Sequence, residues 1–477
     1  MYNSLTEFIQ RLEDAGELRR IAYPADPNLE ITEIADRVMK AGGPALLFEK
    51  PKGYDFPLLI NAFGSERRMA MALGAERLDD LAAEIADLTK PDIPQGLGAK
   101  IAMGLKYARL AKYLTKQGKG TAPCQEVVME PPRLSALPVL TCWPLDGGPF
   151  ITLPLVFTHD PNTGKRNVGM YRMQVFDDVT TGMHWQLHKV GMEHMVDSGA
   201  KPIQVAVCLG GDPAYTYSAT APLPKEIDEM LFAGFLRKQA VEMVKCKTID
   251  VSVPRDVDFV IEGYVDPAER RIEGPFGDHT GFYTPAEPFP VFHVTAITHR
   301  KDPVYPATIV GPPPMEDAWL GKATERLFLP LLKTQVPEIV DMNLPVAAAF
   351  HNLAIVSIRK RYPGHARKVM HALWGLGQMM FTKIIIVVDA DVDVQNPTEV
   401  LWKATGNIDP SRDLEIAMGP VDQLDHASVY ACYGGHVGID ATAKWASEGF
   451  TREWPPEIEM DPGVKAKVDA IWGRLGI

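Results

Sequence analysis

Apolar residues recur at helical spacing through the first part of the chain. Residues 4–16 and 31–41 each carry one apolar face and end at glycine, which predicts two helices. Short strands are predicted over 45–48 and 57–61. Residues 66–118 are rich in Ala, Leu, Lys and Met and predict further helices. The pattern is typical of an α/β region.

From about residue 121 the pattern changes to short β-rich segments between Pro, Gly and Asp turns. These segments are 151–158, 167–176, 182–188, 202–209, 256–264 and 290–299. Their spacing predicts an antiparallel barrel or sandwich, interrupted by a helix over 225–238.

After about residue 320 helical and strand patterns alternate, which predicts a second α/β region. Residues 384–389 form a continuous apolar run closed by an acid. That pattern is typical of a parallel strand covered on both faces, and an acid at its end is a candidate neighbour of a site.

Composition narrows the class of protein. The chain has 477 residues, a formal net charge of −12 and five cysteines, none spaced as C-x-x-C. The charge disfavours nucleic-acid binding, and the cysteines favour a reducing cytoplasm. The N-terminus lacks the apolar core of a signal peptide, and no apolar run is long enough to span a bilayer. Peripheral membrane contact stays open.

The most informative motif is Arg271 to Gly281, in which Glu273 and Asp278 bracket a Gly-Pro-Phe-Gly turn. We expect Gly274 and Gly277 to adopt backbone angles closed to other residues. Two acids held by one turn can have different pKa values, and such a pair can supply both a proton donor and a charged base. The alternative is a solvated acidic loop.

A second candidate is Arg172, which alternation places within one strand over 166–174 among apolar neighbours. An arginine there needs a carboxylate or phosphate partner, unless the strand lies at an edge and the side chain faces water. Three histidines at 184, 188 and 194 support zinc only weakly, because no H-E-x-x-H is present. Nucleotide and esterase signatures are also absent from the sequence.

Several longer segments together resemble the UbiD family of decarboxylases over nearly the whole chain. They are LEITEIADRVMKAGGPALLFEKPKGY at 29–54, TCWP at 141–144, NVGMYRMQ at 167–174, EGPFGDHTGFY at 273–283, VPEIVD at 336–341, GHARKVM at 364–370 and FTKIIIVVDADVD at 381–393. Within the family, the chain is most similar to the 4-hydroxy-3-polyprenylbenzoate decarboxylase branch of ubiquinone synthesis.

The resemblance implies a flavoprotein that binds prenylated FMN (prFMN), made by a partner flavin prenyltransferase, together with Mn²⁺ or another divalent metal and K⁺. The implied residues are metal ligands Asn167, His188 and Glu229, the catalytic triad Arg172, Glu273 and Asp278, and the cofactor contacts Asn167, Met170, Tyr171, Arg172, His188 and Lys383. The implied potassium site involves residues 218–221. Arg172 would orient a substrate carboxylate, and Asp278 would donate a proton after CO₂ leaves, with a pKa raised by Glu273.

The resemblance also implies three domains in a mixed α/β (α+β) chain. They are an N-terminal α/β domain over 1–120, a flavin-reductase-like split β-barrel that binds prFMN over 121–315, and a C-terminal α/β domain over 316–477 that forms a homodimer or hexamer. The leading expectation is a carboxy-lyase of an aromatic acid. The alternatives are the same chemistry on another acid, such as the naphthoate acid of menaquinone synthesis, and a flavin-binding protein without catalysis. The direction of the reaction stays open.

Overall fold

The computed structural model describes residues 1–89, 110–186 and 189–476. In chain order the described helices are α1 (Leu5–Asp14), α2 (Glu30–Lys40), α3 (Glu66–Ala72), α4 (Leu78–Thr89), α5 (Val190–Asp197), α6 (Pro213–Ser218), α7 (Glu229–Leu236), α8 (Asp317–Gln335), α9 (His365–Trp374), α10 (Pro397–Asn407), α11 (Pro410–Asp413) and α12 (Pro462–Asp469). Residues 90–109 of the predicted helical region 66–118 and the candidate ligand His188 lie outside the described residues.

The described strands are β1 (Leu18–Ile21), β2 (Ala45–Phe48), β3 (Leu58–Ile60), β4 (Lys116–Gln117), β5 (Val127–Met129), β6 (Phe150–Ile151), β7 (Leu155–His159), β8 (Arg166–Met170), β9 (Met173–Gln174), β10 (Thr180–Gly182), β11 (Ile203–Leu209), β12 (Glu242–Lys245), β13 (Ser252–Pro254), β14 (Phe259–Glu273), β15 (Phe276–Gly277), β16 (Tyr283–Thr284), β17 (Glu287–His299), β18 (Tyr305–Pro306), β19 (Ile339–Asn343), β20 (Leu353–Ile358), β21 (Ile384–Asp389), β22 (Leu414–Pro420) and β23 (Tyr433–Asp440).

The N-terminal sheet has the order β1-β2-β3-β18. Helix α1 begins where the Ser4 side chain accepts a hydrogen bond from the Glu7 amide, and its apolar positions are buried as the sequence pattern predicts. Strand β18 comes from far along the chain and pairs with β3 in parallel. The N-terminal sheet is therefore completed by a segment that follows the central sheet.

The central sheet has the order β10-β17-β14-β11-β7-β8, and β5 also pairs with β17. All of its pairings are antiparallel. The mixed α/β class is confirmed, and the strands that are described close no barrel. The predicted strand over 166–174 is wrong in one respect. It ends at Met170 and resumes at Met173, so Arg172 lies in the gap between β8 and β9.

The C-terminal sheet has the order β19-β20-β21-β23-β22. The predicted strand over 384–389 is β21, and it runs parallel to both of its neighbours. Helix α9 covers one face of the sheet with Val369 and Leu373, and α10 covers the other with Val400. The continuous apolar run in β21 follows from burial on both faces.

Across the described parts of the chain, every helix is too short or too polar to cross a bilayer. The five cysteines are all free thiols.

A buried ion-pair network ties the N-terminus to the central region. The Arg237 guanidinium donates to Asp212 at 2.8 Å, to the Tyr2 carbonyl at 3.0 Å and to Asp256 at 3.3 Å. Arg237 is 4% exposed and Asp212 1%. Replacing Arg237 by Leu should lower the free energy of unfolding by about 3 kcal/mol, because it leaves buried carboxylates without their counter-charge. Urea denaturation measures the change.

The matched control is Lys225→Met, which removes the exposed ion pair of Lys225 with Glu193. Exposed pairs contribute about 0–1 kcal/mol, so this variant should unfold close to wild type. Equal losses in the two variants would contradict the structural role given to the buried network.

Candidate active site

Arg172 lies between two buried carboxylates. Its Nε donates to Glu273 Oε1 at 3.1 Å, one terminal nitrogen donates to Asp278 Oδ2, and the other donates to Thr284 Oγ1 at 3.0 Å. The exposed fraction is 9% for the arginine side chain, 0% for Glu273 and 7% for Asp278. The alternatives of an exposed edge arginine and of a solvated acidic loop are both wrong for this structure.

The side chain of Arg172 also packs against an aromatic ring. Its guanidinium lies over the Phe276 ring at 4.6 Å from the centroid, a cation–π contact. The Arg172 carbonyl accepts a hydrogen bond from the His184 amide at 3.3 Å. Because the residue sits between two strands and is fixed at both backbone and side chain, the guanidinium is pre-organised for a planar anion.

The turn between the two acids is clamped by polar side chains from elsewhere in the chain. Gln174 accepts a hydrogen bond from the Gly274 amide and donates to the Gly147 carbonyl, both at 2.7 Å. Asp146 Oδ1 accepts from the Gly277 amide at 2.8 Å. These contacts fix the relation between Glu273 and Asp278.

The two glycines of the turn are required for different reasons. Gly274 has φ +93°, which confirms the expectation of a backbone angle closed to other residues. Gly277 has no positive φ. A side chain there would overlap the Trp143 ring, so the constraint is a close approach.

His184 is the second partner of Glu273. Its Nδ1 lies 2.6 Å from Glu273 Oε2, and burial lowers the pKa of the imidazole. Its Nε2 is buried and has no hydrogen-bond partner among the described residues. His194, the neighbour that sequence spacing grouped with it, instead contacts Thr158 at 3.0 Å and serves the core.

Both carboxylates are held in their charged form in this arrangement. Burial opposes ionisation of Asp278, but the hydrogen bond from His279 and the charge of Arg172 outweigh it and hold the pKa well below its usual range. For Glu273, burial is likewise outweighed by His184 and Arg172, and the pKa is lowered. The expectation that Glu273 raises the pKa of Asp278 is not met while Arg172 bridges the two.

A pair of histidines extends from Asp278 towards the C-terminal region. Asp278 Oδ1 accepts from the His279 amide at 2.7 Å and lies 2.9 Å from His279 Nδ1. His279 Nε2 lies 2.6 Å from His351 Nε2. Asp317, the first residue of α8, carries a charge that acts on His279, and burial raises the pKa of Asp317 to about 7.

Two of the three predicted metal ligands lie together. Asn167 is in β8, and Glu229 begins α7, where its Oε2 accepts from the Val168 amide at 3.1 Å. Burial raises the pKa of Glu229 to about 7, and the Asn167 Nδ2 is buried without a partner among the described residues. His188 lies outside those residues. Within them no three His, Cys, Asp or Glu side chains cluster as a metal site.

Further buried polar side chains come from the segment after β8, the segment after β10 and the end of α6. The Tyr171 hydroxyl lies beside Asn167, and the Tyr171 ring packs edge-on against Trp185 at 6.4 Å. The Trp185 Nε1 and the Ser218 Oγ are buried and have no partner in the described chain. Met170 is half-buried at the end of β8. A buried polar atom without a hydrogen bond lowers the stability of the fold unless a ligand or a water molecule supplies the partner.

Lys383 lies in a cavity of about 160 Å³ at the junction of the central and C-terminal regions. Its Nζ donates to Asp425 at 3.0 Å. The same cavity is lined by Thr280, Phe282 and His351. The structure therefore brings Lys383 next to the segment that follows Asp278.

Family profiles cover most of the chain in three consecutive ranges. The N-terminal, Rift-related and C-terminal domains of 3-octaprenyl-4-hydroxybenzoate carboxy-lyase match residues 9–88, 115–313 and 318–441. The chain belongs to the UbiD family. UbiD proteins are carboxy-lyases, so the predicted enzyme class is confirmed. The division at residues 120 and 315 stays a prediction.

A relative in Archaeoglobus fulgidus, called only an uncharacterized protein, is 55% identical over 478 residues, which is 99% of this chain and 98% of the relative. Among solved structures, the closed form of vanillic acid decarboxylase from Sedimentibacter hydroxybenzoicus has a TM-score of 0.86 at 28% identity, covering 100% of this chain and 99% of the other.

The UbiD-class enzyme HmfF from Pelotomaculum thermopropionicum, in complex with FMN, has a TM-score of 0.80 at 30% identity, covering 95% of this chain and 97% of the other. An evolved dimeric form of HmfF in complex with prFMN has a TM-score of 0.79 at 28% identity, covering 97% and 98%.

Sequence reasoning missed Thr284, Asp146 and the histidine pair, and it considered His184 only as a weak zinc candidate. The adjacency of His279 to Asp278 in the motif was a usable signal. His351 carried none, because it is 72 residues from His279 along the chain.

The raised pKa of Asp317 predicts a pH-dependent stability. Between its ordinary pKa of 3.8 and about 7, the folded protein keeps a proton that the unfolded chain releases, so the Asp317 contribution falls as pH rises. Asn at this position does not ionise. The unfolding temperature of Asp317→Asn relative to wild type should therefore increase from pH 5 to pH 8, measured by scanning calorimetry. Exposed Asp197→Asn is the control, and an unchanged difference for Asp317→Asn would refute the assignment.

Proposed function

We propose that this UbiD-family protein is a prFMN-dependent decarboxylase of an aromatic acid, most favourably 4-hydroxy-3-polyprenylbenzoate in ubiquinone biosynthesis. The observation that carries the proposal is the buried Arg172 held by Glu273 and Asp278. Flavin binding alone does not need a guanidinium between two carboxylates. A decarboxylase needs a guanidinium to orient the substrate carboxylate and an acid to protonate the carbon after CO₂ leaves.

Arg172 is the group that orients the substrate. Its planar guanidinium matches the geometry of a carboxylate, and the residue lies in the gap between β8 and β9. When CO₂ leaves, the electron pair of the breaking bond stays with the substrate carbon, so the guanidinium no longer faces a carboxylate. The arginine therefore fixes the bond that breaks without holding the product.

Asp278 is the proton donor in this proposal. A substrate carboxylate on Arg172 competes with Asp278 for the guanidinium, and the burial of Asp278 then favours its neutral form. The protonated Asp278 delivers its proton to the carbon that lost CO₂. Glu273, held by His184, keeps its charge and keeps the Arg172 side chain in place.

The residues beside the site fit a bound flavin and its ions. Buried polar atoms of Asn167, His184 and Trp185 are without partners in the described residues, which is the condition a ligand would satisfy. Met170, Tyr171 and Arg172 would contact the cofactor, and Lys383 would meet its phosphate. When bound, prFMN supplies an electron sink for the pair released as CO₂ leaves.

Asn167 and Glu229, with His188, would hold a divalent ion such as Mn²⁺, because amide and carboxylate oxygens suit a hard cation. The ion's role would be to anchor the cofactor phosphate. K⁺ would lie near Ser218, whose hydroxyl is buried without a partner in the described chain.

Support for an aromatic substrate comes from the matched family description and from the vanillic acid decarboxylase. The naphthoate acid of menaquinone synthesis is the second candidate, and exposed Phe282 and Tyr283 beside the motif suit either ring. The proposal includes a cytoplasmic enzyme, a flavin prenyltransferase as cofactor supplier, and a homodimer or hexamer.

Protein co-expressed with a flavin prenyltransferase tests the cofactor. Mass spectrometry of the released flavin should give the mass of prFMN. Plain FMN, or no flavin, despite a competent prenyltransferase would favour the flavin-binding alternative. The prFMN-loaded protein is then assayed with 3-prenyl-4-hydroxybenzoate, vanillate and 1,4-dihydroxy-6-naphthoate. The kcat/KM values rank the three acids as substrates.

The Asp278→Asn variant tests the donor. It should keep its flavin and bind substrate, while kcat falls by about 100-fold or more, the usual contribution of a general acid. Stopped-flow absorbance of the bound flavin and CO₂ release are the two readouts. Asp197→Asn, on the exposed end of α5, is the control. Undiminished turnover in Asp278→Asn would remove Asp278 from the donor role.

A further inference from the structure

The proposed reaction has a proton requirement that the triad alone does not meet. A carboxylate that loses CO₂ and gains a C–H bond consumes one proton in each turnover. Asp278 is only 7% exposed, and its two oxygens face Arg172 and His279. Arg172 does not give up a proton at any ordinary pH. The proton that recharges Asp278 must therefore come through His279.

Among the residues that the structure describes, His351 is the neighbour of His279 that is positioned to pass that proton on. Its Nδ1 lies 2.9 Å from Asp278 Oδ1, and its Nε2 lies 2.6 Å from His351 Nε2. Two ring nitrogens at that distance share a single proton, one as donor and the other as acceptor. The far nitrogen of His351, Nδ1, is buried without a partner in the described chain, and the ring lines the cavity that contains Lys383.

The two residues before His351 have a strained backbone, which indicates that the position of the His351 side chain is fixed. Ala349 and Phe350 have φ of +49° and +44°, a conformation that residues with a side chain rarely adopt. The Phe350 ring stacks on His279 at 5.4 Å. Strain of this kind persists where the surrounding structure over-determines it, commonly at functional sites.

We propose that His279 and His351 form a proton relay that recharges Asp278 from the cavity between the central and C-terminal regions. This inference rests on the proposed function. A solvent hydronium ion in the cavity gives a proton to His351 Nδ1, the Nε2 proton of His351 passes to His279 Nε2, and the Nδ1 proton of His279 passes to Asp278 Oδ1. One proton enters and one leaves. Both rings end in the opposite tautomer and are reset by exchange with water.

The charges around the relay stabilise the imidazolium form that His279 takes while the proton passes through it. His279 faces Asp278, Asp317 and Asp422, and these contacts outweigh its burial and raise its pKa. For His351, burial and the His279 charge lower the pKa to about 4, although Asp422, Asp278 and Asp425 oppose the shift. Lys383 and His426 line the same cavity as His351.

The test uses the prFMN-loaded enzyme with 3-prenyl-4-hydroxybenzoate as probe, or with whichever acid of the panel it turns over fastest. His351→Ala should lower kcat by about 10-fold to 100-fold at pH 7, within the range of general acid–base effects, and leave KM unchanged. Added imidazole should restore kcat with saturation, since it can enter the space vacated beside His279. His351→Gln fills that space and should be slow but not rescued.

His371→Ala is the matched control, because His371 is an exposed histidine of the same region. Flavin content and unfolding temperature are compared for all variants. If the wild type turns over substrate, two results overturn the relay and leave the proposed function intact. One is an unchanged kcat in His351→Ala. The other is a loss of kcat that imidazole does not restore, although the variant is folded and loaded with flavin. If His351→Ala does not fold, unchanged kcat in His351→Gln overturns the relay. A loaded wild type that turns over no acid overturns both.

Discussion

The candidate site depends on one constraint, which is that two carboxylates are buried beside one guanidinium. Removing Glu273 and Asp278 from water is costly, and Arg172 offsets that cost only because its three nitrogens each meet a separate acceptor. The three residues come from the end of β14, from the loop after β15 and from the gap between β8 and β9. The hydrogen bonds that Gln174 and Asp146 make to the turn support this arrangement, because a small shift of the turn would leave a buried charge unpaired.

The same constraint explains why the expected pKa of Asp278 differs from the one found. Two acids side by side raise one another's pKa, and that argument is correct for an isolated pair. Here a cation lies between them, and His279 donates to Asp278 from the other side. In this arrangement Asp278 is therefore held as an anion. In the proposed reaction, Asp278 can donate a proton only when a substrate carboxylate takes Arg172 away, so substrate binding would switch the acid.

Local patterns in the sequence were sufficient for much of the fold. The buried face of α1, the two-sided burial of β21 and the positive φ of Gly274 each follow from neighbours close in the chain. The motif placed Glu273 and Asp278 together, strand alternation singled out Arg172, and the family resemblance joined the three as a triad. Long-range features had no local signal. These include β18 joining the N-terminal sheet, the Trp143 ring against Gly277, and His351 meeting His279.

The C-terminal sheet faces the site with the amino ends of its strands and not with the carboxyl ends. Ligands of open parallel sheets usually bind beyond the carboxyl ends of the strands, which made the acid that ends β21 a candidate neighbour. Asp389 instead accepts a hydrogen bond from the Ala443 amide at 2.7 Å. His351 and Lys383 lie just before β20 and β21, which pair in parallel from Leu353 and Ile384 onwards. The amino ends of two adjacent strands therefore face the cavity, and their parallel register brings together two side chains that are 32 positions apart in the sequence.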